Sequence, residues 1–216
     1  MTDAVRRSIA GDKPVFLLIA GPNGASKSTF SEKRLKPLGL PCIDPDAVAK
    51  ELFGRFVKNR DEAIQATVEA SLRARKHLLE GKSVALESVF SDSKGYKLGL
   101  LEEARRAGFK SVLVFIGVDS PEICIARVQD RVNLGGHDVP DNVIRDRFPR
   151  CFANLRKALA RIDMALLIDN SGCYGPDIQV DGSRHYMFGI VEASLRPEIM
   201  EPVPNWFTRF GIADVI

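Results

Sequence analysis

The 216-residue chain is poor in the features that would assign it to a specialised class. Its four cysteines, Cys42, Cys124, Cys151 and Cys173, form no CxxC pair and match no zinc spacing. That excludes a thioredoxin-like redox motif and a zinc finger, and predicts reduced, mostly buried thiols in a cytoplasmic protein. The three histidines, His77, His137 and His185, are scattered, so the sequence shows no metal cluster. Charge of one sign is not in excess: 31 Lys and Arg oppose 28 Asp and Glu, a net of +3, too little to argue for nucleic acid or an anionic membrane. Long apolar runs are missing too. The longest near the start is Val15 to Ala20, far short of the ~20 residues of a membrane span. Asp3, Asp12 and the glycine-rich stretch after them argue against a signal peptide. No membrane partner is expected. With 17 glycines and 12 prolines, collagen-like and low-complexity classes are excluded as well.

What remains is an ordinary soluble composition, 45% hydrophobic and 27% charged, with ample material for a core. The length corresponds to about 1.4 typical domains, so one domain with an appendage is expected. Val15-Phe16-Leu17-Leu18-Ile19-Ala20, between Pro14 and Gly21, reads as a strand buried on both faces. A glycine-rich loop follows, then a helix from Ser28 to about Lys36. Further strands are expected at Leu40–Ile43, Ser83–Glu87, Ser111–Val118 and Met164–Ile168. Between them, helices are expected over 63–79, where Ile64, Val68, Leu72 and Leu79 recur at helical spacing, over 98–107, over 121–132 and over 141–160. Strands alternating with helices predict an α/β fold: a parallel sheet of about five strands with helices on both faces. After Gly172 the texture changes. Asp181-Gly182 between Ile178-Gln179-Val180 and Tyr186-Met187-Phe188 predicts a β-hairpin, and Trp206-Phe207 an aromatic anchor. The organisation read from this is a core over 1–171 with a lid around 127–147, and a C-terminal extension over 172–216 packed on that core.

Gly21-Pro22-Asn23-Gly24-Ala25-Ser26-Lys27-Ser28-Thr29 follows the first strand and opens a helix. In that context successive backbone N–H groups curl around phosphates, and the helix N-terminus adds its partial positive charge. Lys27 is placed for the β- and γ-phosphates and the Ser28 hydroxyl for Mg²⁺. Ser26 stands where glycine is usual. A non-glycine residue held at positive φ there costs about 1–2 kcal/mol.

With this loop, Ile43-Asp44-Pro45-Asp46 and Gly135-Gly136-His137-Asp138-Val139-Pro140, the sequence resembles the zeta-toxin family of P-loop kinases over roughly residues 14–171. The resemblance implies a P-loop kinase-type fold, ATP and Mg²⁺ as cofactors, and transfer of the γ-phosphoryl group to a small-molecule hydroxyl acceptor. Known members include UDP-N-acetylglucosamine kinases, the toxin half of toxin–antitoxin pairs, so a sugar-nucleotide acceptor and an antitoxin partner are implied. It further implies that Asp46 is the catalytic base, that Glu87 contacts substrate, and that Arg131 and Arg147 are phosphate-binding lid arginines. The chain departs from the family at Ser26, and at Ser88-Val89-Phe90 where many relatives carry small hydroxyl residues.

Read physically, Asp46 and Glu87 both lie just past strand ends, where open α/β sheets bind ligands. Asp46 is the better base candidate. Glu87 has two readings: orienting the acceptor, or holding Mg²⁺ through water. Asp44 is read as a helix cap. Asp119 is a rival metal-organising acid whose Ser-Pro neighbours look more like a helix start. Arg127 and Arg131, four residues apart, share a helix face and can close over phosphates; Arg145 and Arg147 follow across the Gly135-Gly136 pair, which offers hinge freedom. Arg145 and Arg150 read as a solvated face, with Asp130 and Asp146 as partners. His137 either touches substrate or packs its loop. Asn170 either lines the nucleotide-base pocket or closes a turn. Two other classes stand beside the kinase: a nucleotide-binding regulatory module with weak catalysis, motivated by Ser26, and a nucleic-acid binder using the 127–161 arginines. The second ranks last because no aromatic stacking pattern accompanies those arginines.

Overall fold

The computed structural model describes residues 2–172, 186–193 and 195–216. Six consecutive apolar residues leave the first strand no polar face, so it can sit only where both sides are covered. β1 (Val15–Ala20) accordingly lies in the middle of the sheet, buried throughout. β3 (Val84–Ser88) and β4 (Lys110–Gly117) pair with it in parallel on either side. β2 (Cys42–Ile43) adds beyond β3 and β5 (Met164–Asp169) beyond β4, also in parallel. β6 (Tyr186–Glu192) then joins β5 antiparallel, and β7 (Glu198–Ile199) joins β6. The sheet order is β2-β3-β1-β4-β5-β6-β7. The α/β architecture and its five parallel strands agree with the sequence reading.

The helices are α1 (Thr2–Ile9), α2 (Lys27–Phe30), α3 (Pro45–Phe53), α4 (Arg60–Leu79), α5 (Tyr96–Arg106), α6 (Pro121–Asn133), α7 (Asp141–Leu159) and α8 (Asn205–Arg209). Their starts follow local chemistry. Asn59 caps α4 by accepting from the Glu62 N–H, and Ser120 caps α6 ahead of Pro121. β1 leads to β2 on one side of itself, while β4 leads to β5 on the other. The crevice between the carboxyl ends of β1 and β4 is therefore a topological switch point, where this class of sheet binds ligands. Among the described residues no helix is long and apolar enough to cross a membrane.

Two expectations, on the helix after the loop and on the core row of α4, need correction. The helix after the loop is α-helical only over Lys27–Phe30; it widens into a π turn over Ser31–Leu35 and tightens over Lys36–Leu38. The helix α4 exists, but its core row is Ala66, Ala70, Ala74 and Leu78. Ile64, Val68 and Leu72 are half exposed and Leu79 is largely exposed, because a small-residue row lets the helix approach the sheet and α3 closely. Cys42 is exposed, whereas Cys124 and Cys151 are buried; Cys173 lies outside the described residues. The Asp181-Gly182 turn and Ile178–Val180 lie outside them too; Tyr186–Phe188 does form a strand, which pairs with β5 and β7.

Beyond the β5–β6 pairing, the C-terminal segment is held to the core through Trp206. It is fully buried, its indole Nε1 donates to Asp169 at 2.8 Å, and its backbone N–H donates to Asp119 at 3.1 Å. Phe115, Phe152 and Phe188 surround its ring at centroid distances of 5.3–5.7 Å. Gly117 makes room for it: a Cβ there would lie 2.4 Å from the indole. Gly117→Ala is therefore expected to destabilise the fold by about 1–3 kcal/mol, read as a lower urea midpoint with an unchanged slope.

Candidate active site

The loop after β1 is shaped by two close approaches. A Cβ on Gly21 (φ +149°) would lie 2.1 Å from the Ile116 carbonyl oxygen, and one on Gly24 (φ +72°) 2.7 Å from that of Cys124. Only glycine lets the loop lie against β4 and α6 in this way. Ser26 takes φ 67°, ψ 37°, the left-handed conformation that its sequence position predicts. From the end of β5, Asn170 donates to the Ala25 carbonyl at 3.1 Å. Asn170 is fully buried, so it acts on the loop backbone, and its Oδ1 has no partner among the described contacts. Buried Asn23 Oδ1 is likewise unpaired there. Arg127 Nη1 lies 3.5 Å from the Gly24 carbonyl oxygen. The Lys27 ammonium folds back onto the Pro22 carbonyl at 2.8 Å. Burial lowers its pKa, opposed by Glu87, Cys151, Cys124 and Asp46. Thr29 continues the α2 turn and makes no polar side-chain contact among those described.

Glu87, at the end of β3, is 4% exposed. Its Oε2 accepts from Ser28 Oγ at 3.0 Å, and its Oε1 meets Ser31 Oγ. The π turn of 31–35 opens the chain where Ser31 reaches Glu87, the kind of local widening that recurs at functional sites. Burial, and then the nearby Asp44 carboxylate, push the Glu87 carboxyl up to about 7 against the pull of Ser31, Lys27 and Ser28. Asp44 caps α3, accepting from the Asp46 N–H at 2.9 Å, as its sequence context predicts.

Asp46, in the first turn of α3, keeps 44% of its side chain exposed. Burial raises its pKa, but His137, Arg131 and Lys27 together outweigh that and hold it below its ordinary 3.8. His137 Nδ1 lies 3.6 Å from Asp46 Oδ1. Arg131 Nη2 donates to the His137 carbonyl at 2.6 Å. The site thus gathers Lys27, Ser28, Asp46, Glu87 and Arg131. Arg127 touches the loop backbone. Arg147 is held next to Cys151, Arg150 and Asp146, with burial lowering its pKa, and among the described contacts no hydrogen bond joins it to the other site residues. Arg145 pairs with Glu122, not Asp130, and Arg150 with Asp146 at 2.6 Å, the solvated-face role read for both. Asp119 binds the N–H groups of Asn205 and Trp206 and thereby anchors the C-terminal segment. The Gly135-Gly136 pair forms a closed turn: the Gly136 N–H bonds the Arg131 carbonyl at 2.9 Å.

Sequence reasoning missed three contributors. Ser31 was hidden because its role depends on the π turn. Cys151 donates to the Val89 carbonyl at 2.9 Å and Asn154 to the Phe90 carbonyl at 2.8 Å; together they hold Phe90 at φ 61° just beyond Glu87. That clamp joins residues about 60 positions apart, which no local pattern reveals.

The strand order, the loop at the switch point and the carboxylates at strand ends define a P-loop kinase-type α/β protein. A family model described as "AAA domain" matches residues 16–151, and the chain belongs to that family. An uncharacterized protein of Haemophilus influenzae is 25% identical over 145 residues, covering 63% of this chain and 93% of its own. A chain of the AvrRxo1-ORF1:AvrRxo1-ORF2 complex, solved with sulphate ions, matches with a TM-score of 0.63 at 16% identity, over 93% of this chain and 68% of its own. A chain of the PezAT chromosomal toxin–antitoxin system of Streptococcus pneumoniae matches with a TM-score of 0.51 at 14% identity, over 77% of this chain and 73% of its own. These two structures share the fold.

Two outcomes follow from the site's strain and burial. Ser26→Gly removes the left-handed cost at the price of a more flexible unfolded chain, and should stabilise the nucleotide-free protein by about 1 kcal/mol in a denaturant titration. Glu87 titrates near 4.5 when unfolded and about 7 when folded. Its contribution is therefore fully present below 4.5 and is lost as pH rises through 7. Glu87→Gln lacks that loss, so its stability relative to the parent should improve by about 2 kcal/mol between pH 5 and 8, measured in EDTA.

Proposed function

We propose that this protein is an ATP-dependent kinase that transfers the γ-phosphoryl group to a hydroxyl of a small molecule. The acceptor is of the sugar-nucleotide type, such as UDP-N-acetylglucosamine, as the zeta-toxin resemblance implies. One observation carries the reading. The phosphate-loop Lys27 shares its electrostatic surroundings with two carboxylates from different strand ends, Asp46 and Glu87, and only Asp46 is held ionised and open to solvent. A module that merely binds nucleotide has no use for an ionised, accessible carboxylate at the phosphate end.

In this reading Asp46 accepts the proton of the acceptor hydroxyl as its oxygen bonds to the γ-phosphorus and the bond to the β-phosphate oxygen breaks, releasing ADP. The loop N–H groups and Lys27 hold the phosphates, and Arg131, with Arg127 and Arg147 on the lid side, offsets the charge on the moving phosphoryl group. The site also fits Mg²⁺. Ser28 Oγ and Glu87 Oε2, 3.0 Å apart, are both hard oxygen donors beside the phosphate loop, and Mg²⁺ in kinase sites uses one or two protein oxygens plus water and phosphate. Ser28 and Glu87 would hold the ion, which when bound would supply charge neutralisation for the phosphates. Support for the nucleotide comes from the AvrRxo1 complex, which has also been solved with ATP. Support for an antitoxin-type partner comes from the toxin–antitoxin system among the structural neighbours.

The left-handed Ser26 favours the second reading, a nucleotide-binding regulatory module. An acceptor screen decides between them. The purified chain with ATP, Mg²⁺ and a panel of UDP-N-acetylglucosamine, other sugar nucleotides, nucleosides and aminoglycosides should yield ADP and one phosphorylated acceptor. Asp46→Ala should lower transfer by about 10²–10⁴-fold without weakening ATP binding. Tight ATP binding with no transfer to any acceptor, and none gained by Ser26→Gly, would assign the regulatory role instead.

A further inference from the structure

We propose that His137 is a positioning residue for Asp46: it aims the carboxylate of the base at the acceptor, and the Gly135-Gly136 turn is built to deliver it. The proposal rests on the reading of Asp46 as base.

The imidazole is placed by a closed ring of contacts. Asp46 and Lys50 are four apart on α3, hence on one face. The Lys50 ammonium lies over the Phe56 ring, 4.2 Å from its centroid. Phe56 stacks on His137 with centroids 5.6 Å apart and planes 16° from parallel. His137 Nδ1 closes the ring at 3.6 Å from Asp46 Oδ1. One helix therefore supplies both the carboxylate and the cation that secures the aromatic shelf beneath the imidazole.

The backbone of His137 is fixed as firmly as its ring. Gly135 takes φ +80° to end α6, and a Cβ on Gly136 would lie 2.5 Å from Arg131 Cγ. The Arg131 guanidinium then reaches forward to the His137 carbonyl at 2.6 Å. Arg131 thus grips the turn at both ends, through its own carbonyl to Gly136 and through its side chain to His137. A histidine that only packed its loop would need no nitrogen turned to Asp46. One that met substrate directly would be open, whereas His137 is 19% exposed and Asp46 44%. The separation of 3.6 Å is slightly longer than a hydrogen bond, and contacts of this kind shorten when the reacting complex forms.

The test uses the full chain and two independent readouts. The first is the ¹³C-carboxyl titration of Asp46, whose charged and titratable neighbours are His137, Arg131, Lys27 and Asp44. In the parent it should titrate below the ordinary aspartate range; in His137→Ala it should move up, and in His137→Gln, which keeps an N–H donor, it should stay nearer the parent. The second is transfer to whichever acceptor the screen identifies. His137→Ala should lower kcat by about 10²-fold with KM for ATP unchanged, since misaiming a reacting group by about 1 Å costs that much, and His137→Gln should recover most of it. An Asp46 titration unchanged in a folded His137→Ala variant overturns the proposal whether or not any acceptor is phosphorylated. So does a kcat equal to the parent's. A shifted Asp46 titration with no transfer by the parent to any acceptor upholds the contact and removes the kinase reading.

Discussion

The site depends on one steric constraint: the backbone after β1 runs so close to β4 and α6 that no side-chain atom fits at Gly21 or Gly24. A Cβ at Gly21 would lie 2.1 Å from the Ile116 carbonyl, inside any tolerable contact. The loop is thus pressed against β4 and α6 at the carboxyl end of β1, and α2 starts directly after it at Lys27. Asn170 from β5 and Arg127 from α6 hold the loop from outside, on the carbonyls of Ala25 and Gly24. Once the loop is fixed, the positions of Lys27 and Ser28 follow, and Glu87 at the neighbouring strand end is brought to Ser28.

Around that loop the protein concentrates its electrostatic cost. Glu87 is buried with Asp44 nearby, and Ser26 and Phe90 hold left-handed backbone conformations. Strain and buried charge of this kind persist only where the surrounding structure outweighs them. Here the surroundings are the seven-stranded sheet and the aromatic cluster about Trp206, which extends the core beyond the parallel strands and binds Asp119 and Asp169 at the ends of β4 and β5. The C-terminal segment therefore braces the strand ends from which the site is built.

The two carboxylates divide by environment. Glu87 is enclosed and pushed toward neutrality; Asp46 is half open and held ionised by three cations or potential cations. Their environments thus push the two acids in opposite directions, the pattern by which neighbouring carboxylates come to hold different protonation states. Lys27 lies in the field of both, which couples the loop lysine electrostatically to the two strand-end acids.

Much of this was legible in the residues. The apolar run 15–20 read as a strand buried on both faces, Gly21 to Thr29 read as a phosphate loop in that setting, and Ser26 takes the left-handed conformation expected where glycine is usual. Periodicity located α4 but chose the wrong row, because Ile64, Val68 and Leu72 are larger than Ala66, Ala70 and Ala74, and a hydrophobicity pattern cannot register that close packing prefers the smaller set. Local sequence determined the order of the strands and helices and the chemistry available at their ends, since those depend on residues a few positions apart. Only the tertiary structure decided that Ser31 meets Glu87, that Asn154 holds Phe90, and that His137 stands against Asp46. Each joins residues far apart in the chain, and such a contact is set by how the elements pack rather than by any pattern within them.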